Sequence, residues 1–144
     1  MRFTKLFRHS WVDRLLFLEA LAWLCWTKLL LVLVPFRWIA PRLGRQMTES
    51  PVGRDEAGLP QVKRVSWAVQ AVARHVPLGF VCLPQAIAAK WMLRRRGLPS
   101  TLYLGLRRHE TVKITAHAWL RAGDRILTGR AESASHQIIA SFGE

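Results

Sequence analysis

The sequence predicts an α+β domain in which helices pack on a small antiparallel sheet and one long apolar helix precedes them. Apolar residues recur at helical spacing up to residue 96, and after Pro99 they alternate with polar residues instead. The dipeptide Gly123-Asp124 then separates two alternating segments, as the turn of a β-hairpin does. Helices followed by an antiparallel sheet are typical of the α+β class.

Three segments have a helical pattern. Residues 11–34 are a long apolar stretch that ends before Pro35, which cannot continue a helix. Residues 61–75 carry valines at spacings of three and four, so one face of a helix is apolar there. Residues 83–96 are strong helix formers that end in a run of arginines before Gly97, which is the usual chemistry of a helix C-terminus.

The last third of the chain has the two-residue period of β-strands. Residues 101–106 and 111–121 alternate apolar and polar side chains, and residues 125–128 follow the hairpin turn. Residues 136–142 have enough apolar side chains for a final strand. These four strands predict a small antiparallel sheet.

The composition describes one basic globular chain with room for a single core. It has 144 residues, of which 51% are hydrophobic, and a formal net charge of +13. Such an excess attracts an acidic partner, which is a nucleic acid, an anionic membrane surface or an acidic peptide. Because the arginines are scattered, we do not expect nucleic acid binding. Two cysteines without metal-type spacing do not form a disulfide scaffold, so a reducing cytoplasm is the expected compartment.

The chain divides by pattern into three parts. Residues 1–44 are the apolar N-terminal helical region, residues 45–60 are a linker or loop rich in Gly and Pro, and residues 61–144 are the main domain. The stretch 11–36 approaches the length of about 20 residues that a membrane span needs. Glu19 and Lys28 interrupt it, so we expect a helix that is buried against the domain or a partner, or that contacts a membrane.

Cys82 is the strongest candidate for a nucleophile. It lies directly before the predicted helix 83–96, and the dipole and unpaired N–H groups of a helix N-terminus stabilise a thiolate. The same N–H groups can stabilise the oxyanion that forms when a carbonyl is attacked. A cysteine at a helix start is, however, more often a small buried residue than a nucleophile.

His117 is the best candidate for the base that such a cysteine needs. It lies in the predicted strand between Ala116 and Ala118, with Trp119 on the same face. A cysteine at a helix start that faces a histidine on a strand is the arrangement of papain-like and transglutaminase-like sites. The other histidines have no metal-ligand spacing with the cysteines, so no metal is expected.

Three stretches together resemble a known family. Residues 82–86, 93–100 and 116–120 are similar to the transglutaminase-like cysteine peptidase of lasso-peptide biosynthesis, and the resemblance spans roughly residues 60–142. It implies that Cys82 attacks the bond between leader and core of a ribosomally made precursor, with His117 as general base and then acid.

The resemblance also implies partners and the absence of an intrinsic cofactor. In the family, a separate ATP-using cyclase, similar to asparagine synthetase, closes the freed core. Leader binding is performed by a small winged-helix-like module, whereas the residues 1–60 that precede the main domain look like an apolar helix and a loop. We therefore expect the precursor peptide, a separate leader-binding protein and the cyclase as partners.

One departure from the family supports an alternative. The family often has an aspartate about a dozen residues after the histidine, whereas this chain has no carboxylate there. Asp124 fits the role of a turn residue. The group that orients His117 is therefore expected to be a backbone carbonyl, Thr128 or Glu132. The alternative is a catalytically impaired or non-enzymatic scaffold of the same fold, associated with a membrane or with the same pathway.

Overall fold

A computed structural model describes residues 11–50, 58–77, 79, 81–108, 114–133 and 136–143. The predicted strand residues 111–113 and most of the later part of the predicted linker lie outside these residues. Nothing is described for the side chain of Glu132 either.

Five helices lie in the described residues, and the three long ones match the helical patterns of the sequence. Their bounds are α1 Trp11–Leu33, α2 Phe36–Ile39, α3 Leu59–His75, α4 Cys82–Arg95 and α5 Arg130–Ser133, with a 3₁₀ turn at Ala40–Leu43. Pro60 lies in the first turn of α3, where its missing N–H costs nothing. α4 ends in a tight turn at Gly97, whose φ of 70° favours glycine.

The strands form one antiparallel sheet in the order β1-β5-β2-β3-β4. Their bounds are β1 Arg45–Gln46, β2 Thr101–Arg108, β3 Ile114–Ala122, β4 Arg125–Thr128 and β5 Gln137–Gly143. The turn at residues 123–124 joins β3 and β4 as predicted. The α+β fold, with helices on a small antiparallel sheet and a long apolar helix at the front, is therefore confirmed.

The sheet has two faces with different neighbours. Leu102, Ala118 and Leu120 belong to the core that the helices share. Tyr103 and Trp119, one position along the same strands, stack on each other outside that core, with ring centroids 5.7 Å apart. Because side chains alternate across a strand, even positions of β2 and β3 face the helices and odd positions face away from them.

A polar cluster on this second face ties the chain after β1 to the sheet. The Ser50 N–H donates to Oγ1 of Thr101 over 2.7 Å, and Arg121 donates to the Ser50 carbonyl over 2.9 Å. Arg121 also donates to the hydroxyl of Tyr103, which lies 2.9 Å from a carboxylate oxygen of Glu49. Burial is the main cause that raises the pKa of Tyr103. The first residues of the predicted linker 45–60 are thus part of the sheet, since Arg45–Gln46 pair with β5.

The long apolar helix α1 is attached to the domain by packing and by charge. Leu16 and Leu24 lie in the common core. Glu19 accepts from Arg96 over 2.7 Å and from Arg95 over 2.9 Å, both at the end of α4. The hydrogen bond from Arg96 is the main cause that lowers the pKa of Glu19 from its usual 4.5. The charge that interrupts α1 in the sequence therefore has its partner on another helix.

Glu19→Gln should lower the free energy of unfolding at neutral pH by about 1 kcal/mol, because it leaves Arg96 without its carboxylate. Since the pKa of Glu19 is lowered in the folded protein, its contribution is present above the ordinary value of 4.5 and is lost as the pH falls through the folded value. Urea unfolding of both proteins across this range should show the difference shrinking as the solution becomes acidic. Asp13→Asn, which removes the more exposed ion pair with Arg64, should have a smaller effect. If the stability difference between Glu19→Gln and the native protein did not change with pH, the ion pair of Glu19 would not be its cause.

Candidate functional site

Cys82 is the first residue of α4, as the sequence predicts. Val81 before it is extended, with φ −82° and ψ −169°, so the helix begins abruptly at the cysteine. The thiol is free and half-buried, and it packs against the edge of the core. The helix behind it is 14 residues long and almost entirely buried after its first turn. This packing fixes the position of the sulfur relative to the sheet.

The first turn of α4 leaves two backbone donors beside the sulfur. The N–H of Gln85 closes the first helical bond to the Val81 carbonyl over 3.2 Å. Pro84 has no N–H, so the N–H groups of Cys82 and Leu83 are those without a partner inside the helix. Two N–H groups next to a thiol are the components of an oxyanion hole.

His117 lies in β3, directly opposite Gly105 of β2. It is half-buried and lies two positions before Trp119, so both side chains lie on the same face of the strand. Its side chain therefore lies on the face of the sheet that is turned away from the helix layer, whereas Cys82 packs against the core on the helix side. The sequence-based expectation that His117 faces the helix start at Cys82 is therefore not met, because the regular register of β3 turns the imidazole to the other side of the sheet.

His136 is a neighbour of His117 that the sequence did not indicate. The two rings meet edge to face, with centroids 4.5 Å apart and an interplanar angle of 73°. Gly105 makes room for them, because a Cβ there would lie 2.5 Å from the ring of Trp119 and 2.9 Å from Cβ of His136. A glycine at the strand position opposite a histidine is the sequence signal that could have indicated this cluster.

Nδ1 of His117 has no hydrogen-bonding side chain in the described part of the chain. This atom is buried without a hydrogen-bond partner, and so is the hydroxyl of Thr128, which was one candidate for orienting His117. Asp124 lies exposed in the turn at residues 123–124, in agreement with its predicted role as a turn residue. Glu132, the remaining side-chain candidate, falls outside the described side chains.

The lengths of α4 and β2 indicate that Cys82 and His117 lie near the same end of the sheet. α4 leads through a short turn into β2, so the two run in opposite directions and the helix start lies over the far end of β2. A helix of 14 residues is about 21 Å long, which equals about six residues of strand. This length brings the start of α4 to the level of Gly105, the residue that pairs with His117.

The edge of β3 next to His117 is not covered by β4. β4 pairs with residues Leu120 to Ala122 of β3, and the chain then departs at Gly129. A Cβ on Gly129 would lie 2.7 Å from the Ala118 carbonyl, so the departing chain lies close beside this edge. Within the described structure the thiol and the imidazole form no hydrogen bond, and Gly129 and α5 pack against β3 beyond the end of β4.

An open, basic groove begins at the first turn of α4. It has a volume of 590 Å³, and its lining includes Gln85 of α4, Gly129 beyond β4, and the arginines Arg74, Arg125 and Arg130. Gln70 of α3 donates to the Leu127 carbonyl and so joins the helical wall of the groove to β4. Cys82 is not part of the lining and lies three residues before Gln85 on α4. A groove of this charge is suited to an extended peptide with acidic side chains.

Comparison with known proteins gives one match. A family model described as the transglutaminase-like superfamily matches residues 30–141, which is more than half of the chain. The matched region includes both Cys82 and His117. No curated protein and no solved structure matches the chain.

Gly105→Ala should lower the free energy of unfolding by about 1–3 kcal/mol, because the new methyl group would overlap the ring of Trp119. Thermal unfolding is the measurement. Combining it with Trp119→Leu, which shortens the side chain that is struck, should cost less than the sum of the two single changes. Strictly additive losses would show that the two residues do not touch.

Proposed function

This chain belongs to the transglutaminase-like superfamily, and on that premise we propose that it is a cysteine peptidase that removes the leader from a ribosomally made lasso-peptide precursor. The observation that carries the proposal is the position of Cys82 as the first residue of the buried helix α4, beside two N–H groups that the helix leaves unpaired. The helix dipole and these donors favour negative charge at this point, first on sulfur and then on the substrate oxygen.

The proposed reaction has two halves. The imidazole of His117 takes the thiol proton, and the sulfur attacks the carbonyl carbon of the bond between leader and core. The C–N bond breaks, His117 gives its proton to the departing amine of the core, and the leader remains as a thioester on Cys82. Water then attacks the thioester with His117 as base, which releases the leader as a carboxylate and restores the thiol.

The reaction needs the imidazole to reach the sulfur past the edge of β3 that β4 leaves uncovered. The end of the sheet where Gly105 pairs with His117 supports this route, because the start of α4 lies at the same level.

The proposed partners follow from the same premise. The precursor would lie in the basic groove beside α4, delivered by a separate leader-binding protein, and the released amine of the core would pass to an ATP-using cyclase similar to asparagine synthetase. The proposed chemistry requires no cofactor or metal, since thiol, imidazole and water balance it. We place the reaction in the cytoplasm, where thiols stay reduced.

A second candidate function is a scaffold of the same fold without peptidase activity. The observation that favours it is that His117 faces away from the helix layer and that its buried Nδ1 has no partner in the described residues. Loss of the group that orients the histidine costs several orders of magnitude in related triads.

Cys82→Ala should abolish leader release, and His117→Ala should reduce its rate by at least about 10³-fold. The assay mixes the protein, the precursor and the leader-binding protein and follows both products by mass spectrometry. Cys25→Ala is the matched control, because Cys25 is a free thiol exposed on α1 and should be dispensable. A hydroxylamine-sensitive adduct of leader mass on Cys82 would identify the thioester.

Two further variants separate the histidines. His75→Ala removes the ring at the end of α3, and His136→Ala removes the neighbour of His117. His75→Ala should retain activity. If His75→Ala is inactive while His117→Ala is active, His117 is not the base, although Cys82 remains the nucleophile. Undiminished cleavage by Cys82→Ala would remove the peptidase proposal, and absence of cleavage by the native protein with all partners would favour the scaffold.

Replacing Arg74 and Arg130 together by glutamine should raise KM for the precursor by about tenfold and leave kcat nearly unchanged, because the groove would contribute binding rather than chemistry. Steady-state kinetics at low salt gives both constants. Arg37→Gln, an exposed arginine of α2 outside the groove, is the control. If the control raised KM by the same factor, the precursor would respond to the total charge of the protein and not to the groove.

A further inference from the structure

The outward face of α1 is apolar along its whole length. We call "outer face" the residues Trp11, Leu15, Leu18, Trp26, Leu29 and Leu33, whose exposed fractions run from 49% to 74%. Their spacing places them on one stripe of the helix, opposite the stripe that enters the core. α1 has 23 residues, so this stripe is about 35 Å long.

The charged side chains near the middle and ends of α1 are directed to the domain. Asp13 pairs with Arg64 over 2.7 Å, and Lys28 donates to the Gly79 carbonyl over 3.5 Å. Glu19 bonds the arginines at the end of α4. Arg14 lies beside the outer face, with its guanidinium carbon 5.8 Å from the centroid of the Trp11 ring. The six residues of the outer face are themselves uncharged. An apolar stripe of this length on an exposed helix marks an interaction surface.

The opposite face of α1 decides how the helix can lie. By length and a mean hydropathy of 1.9, α1 could cross a membrane. Phe17, Ala20 and Leu24, however, lie in the common core, and Thr27 is buried with them. A spanning orientation would expose these residues and break the ion pairs of Asp13 and Glu19. The structure is compatible with a helix that lies in the plane of a membrane, with only its outer face in lipid.

Arginines border the outer face on one side. Trp26 of the outer face continues into a groove of 510 Å³ that is lined by Trp23 and Trp91 and edged by Arg42, Arg94 and Arg95. The Arg95 side chain is 62% exposed although it also pairs with Glu19. Tryptophan beside arginine next to an apolar stripe is suited to the boundary between acyl chains and anionic headgroups, and the net charge of +13 adds long-range attraction.

We propose that the outer face of α1 binds in the plane of an anionic membrane, with its apolar side chains at the acyl boundary and the arginine-edged groove on lipid phosphates. This proposal does not depend on the peptidase function, because Cys82 and His117 contribute nothing to the surface. A helix half in the core and half in lipid also explains why both of its faces are apolar.

The test is sedimentation of the full chain with sucrose-loaded vesicles of phosphatidylcholine, with or without about 30% phosphatidylglycerol. The protein should bind the anionic vesicles and be released by alkaline carbonate. Leu18→Glu with Leu29→Glu should weaken binding at least about tenfold without lowering thermal stability, because both residues lie outside the core. Ile138→Glu with Ile139→Glu, which changes two similarly exposed apolar residues of β5, is the control matched in charge and should bind as the native protein does.

A second pair of variants tests the arginine border. Arg42→Gln with Arg94→Gln should remove the preference for anionic vesicles, whereas Arg125→Gln in the β3–β4 hairpin should keep it. Binding that is unchanged in the Leu18 and Leu29 variant would overturn the proposal, and retention after carbonate would replace it by a spanning helix. The native protein could instead fail to bind vesicles and form a dimer, or a complex with the leader-binding protein. If the Leu18 and Leu29 variant dissociated that assembly, a protein and not a membrane would cover the face.

Discussion

The close approach of α4 to the sheet determines where every candidate group lies. Ala86, Ala88 and Ala89 of the helix are fully buried, and Ala118 and Ala122 of β3 belong to the same core. Small side chains on both sides let a helix lie close to a strand, and the methyl groups then fill the space without voids. This close packing of α4 on the sheet fixes the position of the sulfur at the first residue of the helix.

A shift of one position along β3 decides on which face of the sheet a side chain lies. This decides whether the imidazole of His117 is on the same side as the thiol of Cys82. The pairing of β2 with β3 is regular from Thr101 to Arg108, so the alternation of β3 is maintained through His117. Ala118 then faces the helices and His117 faces the other side, next to His136. The proposed chemistry therefore requires the imidazole to reach the helix side of the sheet, a constraint that is set by one strand and not by the whole fold.

The sequence predicted the parts of the fold that have a period. The valines at helical spacing in α3 and the alternation in β3 are repeated signals, and Cys82 at a helix start follows from the residues after it. β1 has two residues, too few for any period, so the pairing of Arg45–Gln46 with β5 was not foreseen. Glu19 could not be matched with Arg96 because 77 residues separate them, and only the folded packing of α1 on α4 brings them together.

The contact between α1 and the first turn of α4 has a steric consequence. The Thr27 hydroxyl lies 3.4 Å from the Pro84 carbonyl, two residues beyond Cys82. The outer stripe of α1 is therefore about one helix diameter, some 10 Å, from the start of α4. Anything that covers α1 shields this flank of the thiol, so a large molecule has to approach Cys82 from the side of the sheet.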